Sequence, residues 1–472
     1  MSSDYEKWIP LQSRIRTIGF ASGPIGFVLV LLYPIDGLSF EAKIVLGAGI
    51  WMAIWWVTET IPYYATALIP IILFPLLGAV SIDKVWLGYA DKLVFLLLGG
   101  FLIAKAIEKA NLHKRFALNT LKIVGTKPKN IVLGFIIVTG ALSAWITNTA
   151  TTLLILPIAV AVVSQMRDSP GKEKFGTCLL LSVAYAASLG GLSTLIGTAP
   201  NALFASLADS LAGAEITFSQ WMLVGVPVSI VSLFVLWLYM VNFAKLDTKP
   251  ISESKAVVVT ELKKLGKMAR NEKLVAATFA ATALAWITRG LIWKDYAPLV
   301  DDYTIALIAA LALFLLPGGL NKGRLLDLRT ASKIPWGVLI LIGGGLALAS
   351  GFTLTGLDLW IAGQLSFVGG MEYLLIVLVI VTITIFTSEL MSNTAVAALL
   401  IPIMASLAIT TEVDPLLFMA PVAFATSYGF IMPVGTPPNA IVVGSGYVSP
   451  KKMAKFGLPF DLICIPLVTV MM

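Results

Sequence analysis

The chain has 472 residues, of which 58% are hydrophobic and only 12% are charged, and its mean hydropathy is +0.92. A soluble domain carries about 25% charged residues, and one core cannot hide so much apolar sequence. These values exclude a soluble enzyme, a disordered chain and a nucleic-acid-binding protein, and they predict an all-α polytopic membrane protein. The excess of 33 Lys and Arg over 26 Asp and Glu then sets the orientation of the helices.

Scarce residue types exclude several chemistries. The two cysteines, Cys178 and Cys464, are far apart within apolar runs, so we expect no disulfide framework and no metal-cysteine motif. The only histidine, His113, is followed by Lys114 and Arg115, and we expect it to be a solvated loop residue. One histidine cannot build a histidine-metal centre and also serve a catalytic triad within the membrane. We therefore expect neither an enzyme nor a cofactor.

Apolar runs follow one another along the chain, and most approach the length of about 20 residues that a membrane-crossing helix needs. They lie at 15–33, 41–60, 64–81, 88–108, 175–207, 218–243, 271–292, 301–317, 335–355, 416–445 and 456–472. Two pairs of shorter runs, 130–147 with 150–165 and 372–390 with 395–409, are each split by a short polar tip. We predict that these pairs are re-entrant helical hairpins buried within the protein. The sequence thus predicts eleven crossings and two hairpins.

Basic residues are unevenly distributed among the connections. Connections 105–130 and 244–273 contain seven and eight Lys and Arg, whereas 208–218, 356–371 and 410–415 contain none. The positive-inside rule is satisfied if the N-terminus is cytoplasmic and each hairpin contributes no net crossing. The C-terminus is then extracellular, and the chain is predicted to be a multi-pass protein of the cell membrane.

The second half of the chain repeats the first. At an offset of 245, residues 148–150 (Asn-Thr-Ala) match 393–395, and at an offset of 238, residues 197–202 match 435–440 in five of six positions. Five predicted crossings separate the two copies, so the second copy is inverted in the membrane. An inverted repeat with interrupted helices is typical of a secondary transporter, whose site lies where the repeats meet.

Four polar motifs occupy the repeated positions. Residues 147–149 and 392–394 form the two hairpin tips, whereas 197–201 and 435–439 interrupt long apolar segments. Proline and glycine break helices here, and a break exposes helix N-termini that attract anions. Freed carbonyls with Ser and Thr oxygens suit a hard cation such as sodium. One such motif alone would indicate contacts between helices, but four motifs paired by a repeat favour a binding site.

These motifs, together with residues 55–62 (Trp-Trp-Val-Thr-Glu-Thr-Ile-Pro), resemble the divalent anion/sodium symporter family, whose INDY-like bacterial members carry dicarboxylates. The resemblance spans 15–472. It implies an 11-helix protomer with two hairpins, a homodimer held by a scaffold domain, and a transport domain that moves as an elevator. The implied parts are scaffold 1–110, with the first repeat beginning near 41; transport part 111–243, with hairpin 130–165 and broken helix 175–207; cytoplasmic linker 244–273; scaffold 274–370; and transport part 371–472, with hairpin 372–409 and broken helix 416–445.

The resemblance also implies roles for individual residues. Those expected at the substrate are Asn148, Thr149, Thr198, Ser392, Asn393, Thr394, Thr436 and Pro437. The first expected cation site comprises Ser143, Thr147, Asn148 and Gly197. The second comprises Ser388, Met391, Asn393 and Gly435, of which Met391 and Gly435 offer only backbone carbonyls.

We expect a secondary transporter of di- or tricarboxylates of the succinate, malate, fumarate, 2-oxoglutarate or citrate class. Thr147, Ser388 and Ala199 depart from the family's usual residues, so sodium symport and dicarboxylate exchange both stay open. The alternatives are a transporter of another divalent oxyanion such as sulfate, and an anion channel, which would need a continuous polar path. The expected partners are the dicarboxylate, membrane lipid, sodium as coupling ion and a second copy of the chain, with no nucleic acid.

Two acids lie near or inside predicted membrane segments. Intramembrane acids are functional candidates, so Glu59 and Glu389 could belong to a proton relay. The alternative is a buried acid that hydrogen-bonds to backbone or to a basic partner and fixes a helix end. We favour this second interpretation for both residues.

Overall fold

A computed structural model describes residues 3–123, 125–164, 166, 170–246, 253–318, 323–368 and 370–472. About 78% of the chain is helical, and within the described ranges the only extended pairing is an isolated bridge between Pro317 and Arg324. The all-α prediction is therefore confirmed.

The first half of the chain contains twelve helices in its described part. They are α1 (Ser3–Leu32), α2 (Phe40–Thr58), α3 (Tyr63–Thr66), α4 (Ile69–Leu76), α5 (Ile82–Tyr89), α6 (Lys92–Lys109), α7 (Leu112–Ile123), α8 (Pro128–Ser143), α9 (Asn148–Ser164), α10 (Pro170–Gly191), α11 (Ala199–Ala212) and α12 (Phe218–Phe243).

The second half continues the series after residues 247–252 of the predicted linker, which lie outside the described residues. Its helices are α13 (Glu253–Leu265), α14 (Arg270–Thr288), α15 (Asp302–Leu315), α16 (Leu328–Ala331), α17 (Trp336–Thr355), α18 (Leu357–Gln364), α19 (Tyr373–Ser388), α20 (Asn393–Thr411), α21 (Pro415–Ala425), α22 (Pro437–Gly444) and α23 (Pro450–Met471). A π-helical turn, Arg289–Trp293, continues α14, and a 3-10 turn, Ser366–Val368, follows α18.

Six helices in the described part of the chain are long and apolar enough to cross a membrane: α1 from Arg14, α2, α12, α17, α20 and α23. Several other apolar helices are shorter, with 10 to 17 residues. The predicted run 64–81 is not one helix but two, α3 and α4, because Pro70 lacks a backbone donor and suits a helix start rather than an interior. The count of eleven crossings stays a prediction.

The predicted interruptions fall where the motifs are. Residues 144–147 separate α8 from α9 and residues 389–392 separate α19 from α20, while 192–198 and 426–436 divide the two long apolar segments. These positions agree with the predicted tips and breaks, except that residue 165, the end of the first hairpin, lies outside the described residues. The re-entrant course of the hairpins stays a prediction.

The predicted order of crossings places the connection 289–300 outside although it contains two basic residues, and acids lie beside both of them. Arg289 is 2% exposed and its Nη2 lies 2.5 Å from Asp301 Oδ1. Lys294 Nζ lies 2.8 Å from Glu215 Oε2, and this hydrogen bond lowers the pKa of the Glu215 carboxyl. Local acids therefore balance both basic side chains.

The basic connection 105–130 contains the helix α7, which the sequence analysis did not predict. His113 lies in this helix, half-buried, with Nδ1 3.1 Å from the Ile107 carbonyl oxygen, and burial lowers its pKa. The expectation of a solvated loop residue was wrong, because residues 112–123 form an amphipathic helix that buries one face. The linker helix α13 packs against α7. Arg115 Nε of α7 lies 2.5 Å from Glu272 Oε2 at the end of the linker.

The orientation of the chain can be tested by cysteine labelling. Both native cysteines, Cys178 and Cys464, are fully buried, so the background should be silent. An impermeant thiol reagent should label Lys263→Cys only from the cytoplasmic side and Ser210→Cys only from outside, because both residues are exposed and lie in connections of opposite predicted side. Labelling of both from one side would contradict the predicted crossing of α12 between them, and the reverse pattern would contradict the predicted orientation.

Candidate substrate and cation site

Each of the four polar motifs lies at a helix N-terminus. α9 begins at Asn148 and α20 at Asn393, while α11 and α22 begin directly after Thr198 and Thr436. The first turn of a helix presents free backbone N–H groups and the positive end of the helix dipole. The motifs therefore place four anion-attracting backbone ends in the two repeats.

The second halves of the broken helices pack across the repeat boundary. α11, which follows the first break, packs against α20 of the second hairpin, and α22, which follows the second break, packs against α9 of the first hairpin. Each break is thereby joined to the hairpin of the other repeat. This exchange agrees with the expectation that the site lies where the repeats meet.

Three of the four residues expected at the first cation site lie together. One end of the Asn148 carboxamide lies 2.7 Å from Ser143 Oγ, 3.1 Å from the Ala187 carbonyl oxygen and 3.3 Å from the Gly197 carbonyl oxygen. Ser143 Oγ also donates to the Ala187 carbonyl oxygen at 2.6 Å. Three oxygens thus surround one end of the Asn148 carboxamide. The fourth expected residue, Thr147, lies in the adjoining turn, where its Oγ1 accepts a bond from Ala150 N at 3.4 Å.

The second expected cation site is partly assembled. Gly435 packs against the hairpin tip so closely that a Cβ there would lie 3.0 Å from the Ser388 carbonyl oxygen. Ser388 Oγ and Asn393 Oδ1 are buried and have no hydrogen-bond partner among the described residues, so both oxygens are available to a ligand. Met391 is 1% exposed beside them in sequence.

The expected substrate residues are distributed between the tips and the breaks. Asn148, Thr149 and Thr198 are half-buried, as are Ser392 and Asn393, whereas Pro437 is exposed. Thr394 is 7% exposed and Thr436 is 2% exposed, and Thr436 Oγ1 accepts a bond from Asn439 N at 3.4 Å. Thr436 therefore also caps α22. At the equivalent start of α11, the side chain of Thr198 makes no capping hydrogen bond to the described residues.

Aromatic donors satisfy carbonyls that the breaks release, and the sequence analysis did not identify them. Trp221 Nε1 donates to the Leu192 carbonyl oxygen and Tyr185 Oη to the Phe430 carbonyl oxygen, both at 2.9 Å. These carbonyls occupy equivalent positions at the offset of 238. Long-range contacts of this kind leave no local pattern, although Tyr185 is conspicuous as a polar ring inside an apolar run.

Glu389 serves the second break. Its Oε1 and Oε2 accept hydrogen bonds from Ile431 N and Met432 N, both at 2.7 Å, and the residue is 3% exposed. Asp461 is fully buried on α23, and neither of its carboxyl oxygens has a hydrogen-bond partner among the described residues. The interpretation of Glu389 as a buried acid bonded to backbone is confirmed, and Asp461 is an acid that the sequence analysis missed.

Glu59 fixes the end of α2. It adopts the left-handed conformation with φ 47°, its Oε2 lies 3.3 Å from Arg16 Nη2, and its Oε1 accepts a bond from Tyr63 Oη at 2.6 Å. A basic partner and a helix end are the features that the favoured interpretation required, so that interpretation is confirmed for Glu59 as well.

The broken helices, the paired tips and the oxygen clusters define a helical membrane transporter with internal repeats, not an enzyme. The model of the sodium:sulfate symporter transmembrane region matches residues 23–472, and the chain belongs to this family of divalent anion/sodium symporters. The chain is 41% identical over 464 residues to the sodium-dependent dicarboxylate transporter SdcS of Staphylococcus saprophyticus, covering 95% of this chain and 89% of that protein.

Another relative supports this assignment, and a solved structure is similar in fold. SdcS of Staphylococcus aureus, a sodium-dependent dicarboxylate transporter by name, is 40% identical over 462 residues, again with 95% of this chain and 89% of the relative covered. The crystal structure of the Alcanivorax borkumensis YdaH transporter is similar in fold, with a TM-score of 0.53 and 14% identity over 84% of this chain and 86% of that one.

The close packing at the second break can be tested at Gly457. A Cβ at this position of α23 would overlap the Phe430 carbonyl oxygen, whereas Gly444 of α22 has open space around it. Gly457→Ala should displace the break and destabilise the protein by about 1–3 kcal/mol, the usual cost of overpacking. Gly444→Ala is the matched control. Equal melting temperatures and equal transport of the two variants in detergent and in proteoliposomes would contradict this packing.

Proposed function

We propose that the chain is a sodium-coupled dicarboxylate transporter. The observation that carries the proposal is the cluster of Ser143, Asn148 and Gly197 at the first hairpin tip, where hydroxyl and carbonyl oxygens surround one end of the Asn148 carboxamide. The names of the two staphylococcal relatives support both the ion and the substrate class, since those proteins are sodium-dependent dicarboxylate transporters.

The oxygen cluster suits a hard cation. The Asn148 carboxamide can present its NH₂ group to the carbonyls of Ala187 and Gly197 when the cluster is empty, and its oxygen when a cation is bound. Neutral oxygens of this kind are preferred ligands of hard cations. The buried oxygens of Ser388 and Asn393 provide the equivalent set in the second repeat.

The dianionic substrate needs positive charge that the motifs do not contain. A C4 or C5 dicarboxylate carries about two negative charges at pH 7, and residues 143–149, 197–201, 388–394 and 435–439 include no Lys or Arg. Helix N-termini provide only partial charges, and burying an uncompensated charge is costly. Sodium ions next to the substrate supply the missing charge, and their gradient drives uptake against the inside-negative potential, which costs about 2.3 kcal/mol per charge per 100 mV.

The proposal includes the way in which the protein moves. The parts 111–243 and 371–472 form a transport domain that carries the site as an elevator, while 1–110 and 274–370 form the scaffold of a homodimer. The linker 244–273 and the N-terminus are cytoplasmic, and the C-terminus is extracellular. The exchange of α11 and α22 between repeats supports the proposal that the two transport parts move as one body.

Two other activities are favoured by specific observations. The description of the matching family favours sulfate as an alternative divalent anion. The residues Thr147 and Ser388, which depart from the family's usual pattern at the expected cation sites, favour dicarboxylate exchange without sodium. An experiment on the function must separate these alternatives.

Transport should depend on the two tip asparagines. Asn148→Ala and Asn393→Ala should each lower the apparent affinity for succinate by about 10- to 150-fold, because each removes a hydrogen bond to a charged group worth about 1.5–3 kcal/mol. Asn119→Ala, on the exposed side of α7, is the matched control. Labelled succinate uptake into proteoliposomes measures the effect, and near-normal uptake by either tip variant would refute the site assignment.

The same proteoliposomes test the coupling. One set is loaded with unlabelled succinate and one is left empty, and each is assayed with and without an inward sodium gradient. Empty vesicles should accumulate labelled succinate only with sodium, and unlabelled sulfate should compete weakly. Uptake that requires internal succinate and does not depend on sodium would establish dicarboxylate exchange instead. Strong competition by sulfate would favour sulfate as the transported anion.

A further inference from the structure

We propose that Asn201 and Asn439 are positioning residues that hold the two helix breaks in the geometry that the cation sites need. The inference rests on the proposed function, and it adds two residues to which the sequence analysis gave no role. Both belong to the repeated Pro-Asn-Ala triplets at 200–202 and 438–440.

The two asparagines make the same pair of contacts in the two repeats. Asn201 Nδ2 donates to the carbonyl oxygens of Gly191 at 2.9 Å and Thr194 at 2.7 Å. Asn439 Nδ2 donates to the carbonyl oxygens of Gly429 at 3.1 Å and Met432 at 3.2 Å. All three positions correspond at the offset of 238. A geometry that recurs although Thr194 is replaced by Met432 depends on the backbone and the asparagine, not on the neighbouring side chains.

Each asparagine spans its break. The side chain comes from the first turn of the helix after the break. Its acceptors are Gly191, the last residue of α10, and Thr194 within the break in the first repeat, and Gly429 and Met432 within the break in the second. Both asparagines are fully buried, so water cannot replace these bonds. A carboxamide NH₂ offers two donors without charge, whereas a hydroxyl offers one. The chemistry therefore requires asparagine at this distance from two buried carbonyls.

The segment that each bridge closes contains an expected cation ligand. Between Thr194 and Asn201 lies Gly197, whose carbonyl oxygen is 3.3 Å from the Asn148 carboxamide. Gly435 has the same place between Met432 and Asn439. Loss of the bridge would free the segment to move, and the carbonyl would no longer point at a fixed place in the oxygen cluster. Since Oδ1 of both asparagines accepts no hydrogen bond from the described residues, the NH₂ donors are the part of the side chain that the breaks use.

The test replaces the donors while keeping the number and branching of the side-chain heavy atoms. Asn201→Leu and Asn439→Leu should each raise the sodium concentration for half-maximal succinate uptake by about ten-fold, which corresponds to about 1.4 kcal/mol. Asn201→Ser and Asn439→Ser keep one donor and should give smaller shifts. Ser182→Ala is the matched control. It removes a buried hydroxyl that donates to the Cys178 carbonyl oxygen at 2.7 Å, and both residues lie within α10, away from the break.

Double-mutant cycles separate positioning from general stability. Asn201→Leu should be non-additive with Ser143→Ala, which alters the first cation site, and additive with Ser388→Ala, which alters the second. Asn439→Leu should show the reverse pattern. A merely structural role predicts the same coupling of each asparagine to both serines, and that result would overturn the inference.

Hydrogen exchange supplies a readout that does not depend on transport. Asn201→Leu should speed amide exchange in residues 192–198 and leave 430–436 unchanged, and Asn439→Leu should do the opposite. If succinate uptake by the wild-type protein does not depend on sodium while the variants show these changes in hydrogen exchange, the proposed function fails and the positioning of the breaks stands. If uptake by the wild-type protein depends on sodium, and the leucine variants have the same sodium dependence and the same rates of amide hydrogen exchange as the wild type, the function stands and this inference fails.

Discussion

A helix that is interrupted inside a membrane releases backbone groups that no water can satisfy, and this constraint governs the centre of the protein. The carbonyls of Leu192 and Phe430 receive bonds from Trp221 and Tyr185, which come from other helices. Further carbonyls at each break receive bonds from an asparagine of the following helix. Once these groups are satisfied, the oxygens that remain free at the hairpin tips, such as Asn393 Oδ1, are the ones available to a cation.

The two breaks meet this constraint with different chemistry. At the first, Thr194 Oγ1 donates to the Ala144 carbonyl oxygen at 2.5 Å and accepts a bond from Gly197 N at 3.1 Å. The position equivalent to Ala144 is Glu389, whose carboxylate takes two backbone N–H groups of the second break. The first break is therefore held by neutral groups and the second by an acid. The two breaks therefore use different side-chain chemistry although the backbone repeats.

Much of the site could be predicted because it lies in local motifs that occur twice. The residues 147–149 and 392–394 were predicted as equivalent tips, and a helix begins within each. Contacts between distant segments could not be predicted, since the Ala187 carbonyl and the acid Asp461 have no local signal that points to the site. The division of 64–81 into two helices could not be predicted because hydropathy does not register a proline at a helix start. The error at His113 arose because an amphipathic helix resembles a polar loop in a hydropathy profile.

The central claim is that the hairpin tips and breaks together enclose cations next to the substrate. Cryo-electron microscopy of the protein with succinate, once in sodium and once in choline, tests it most directly. The account predicts density enclosed by Ser143, Asn148 and Gly197 in sodium, accompanied by density at Ser388 and Gly435, and loss of both in choline. Substrate density at the tips with no cation density in sodium would contradict the account.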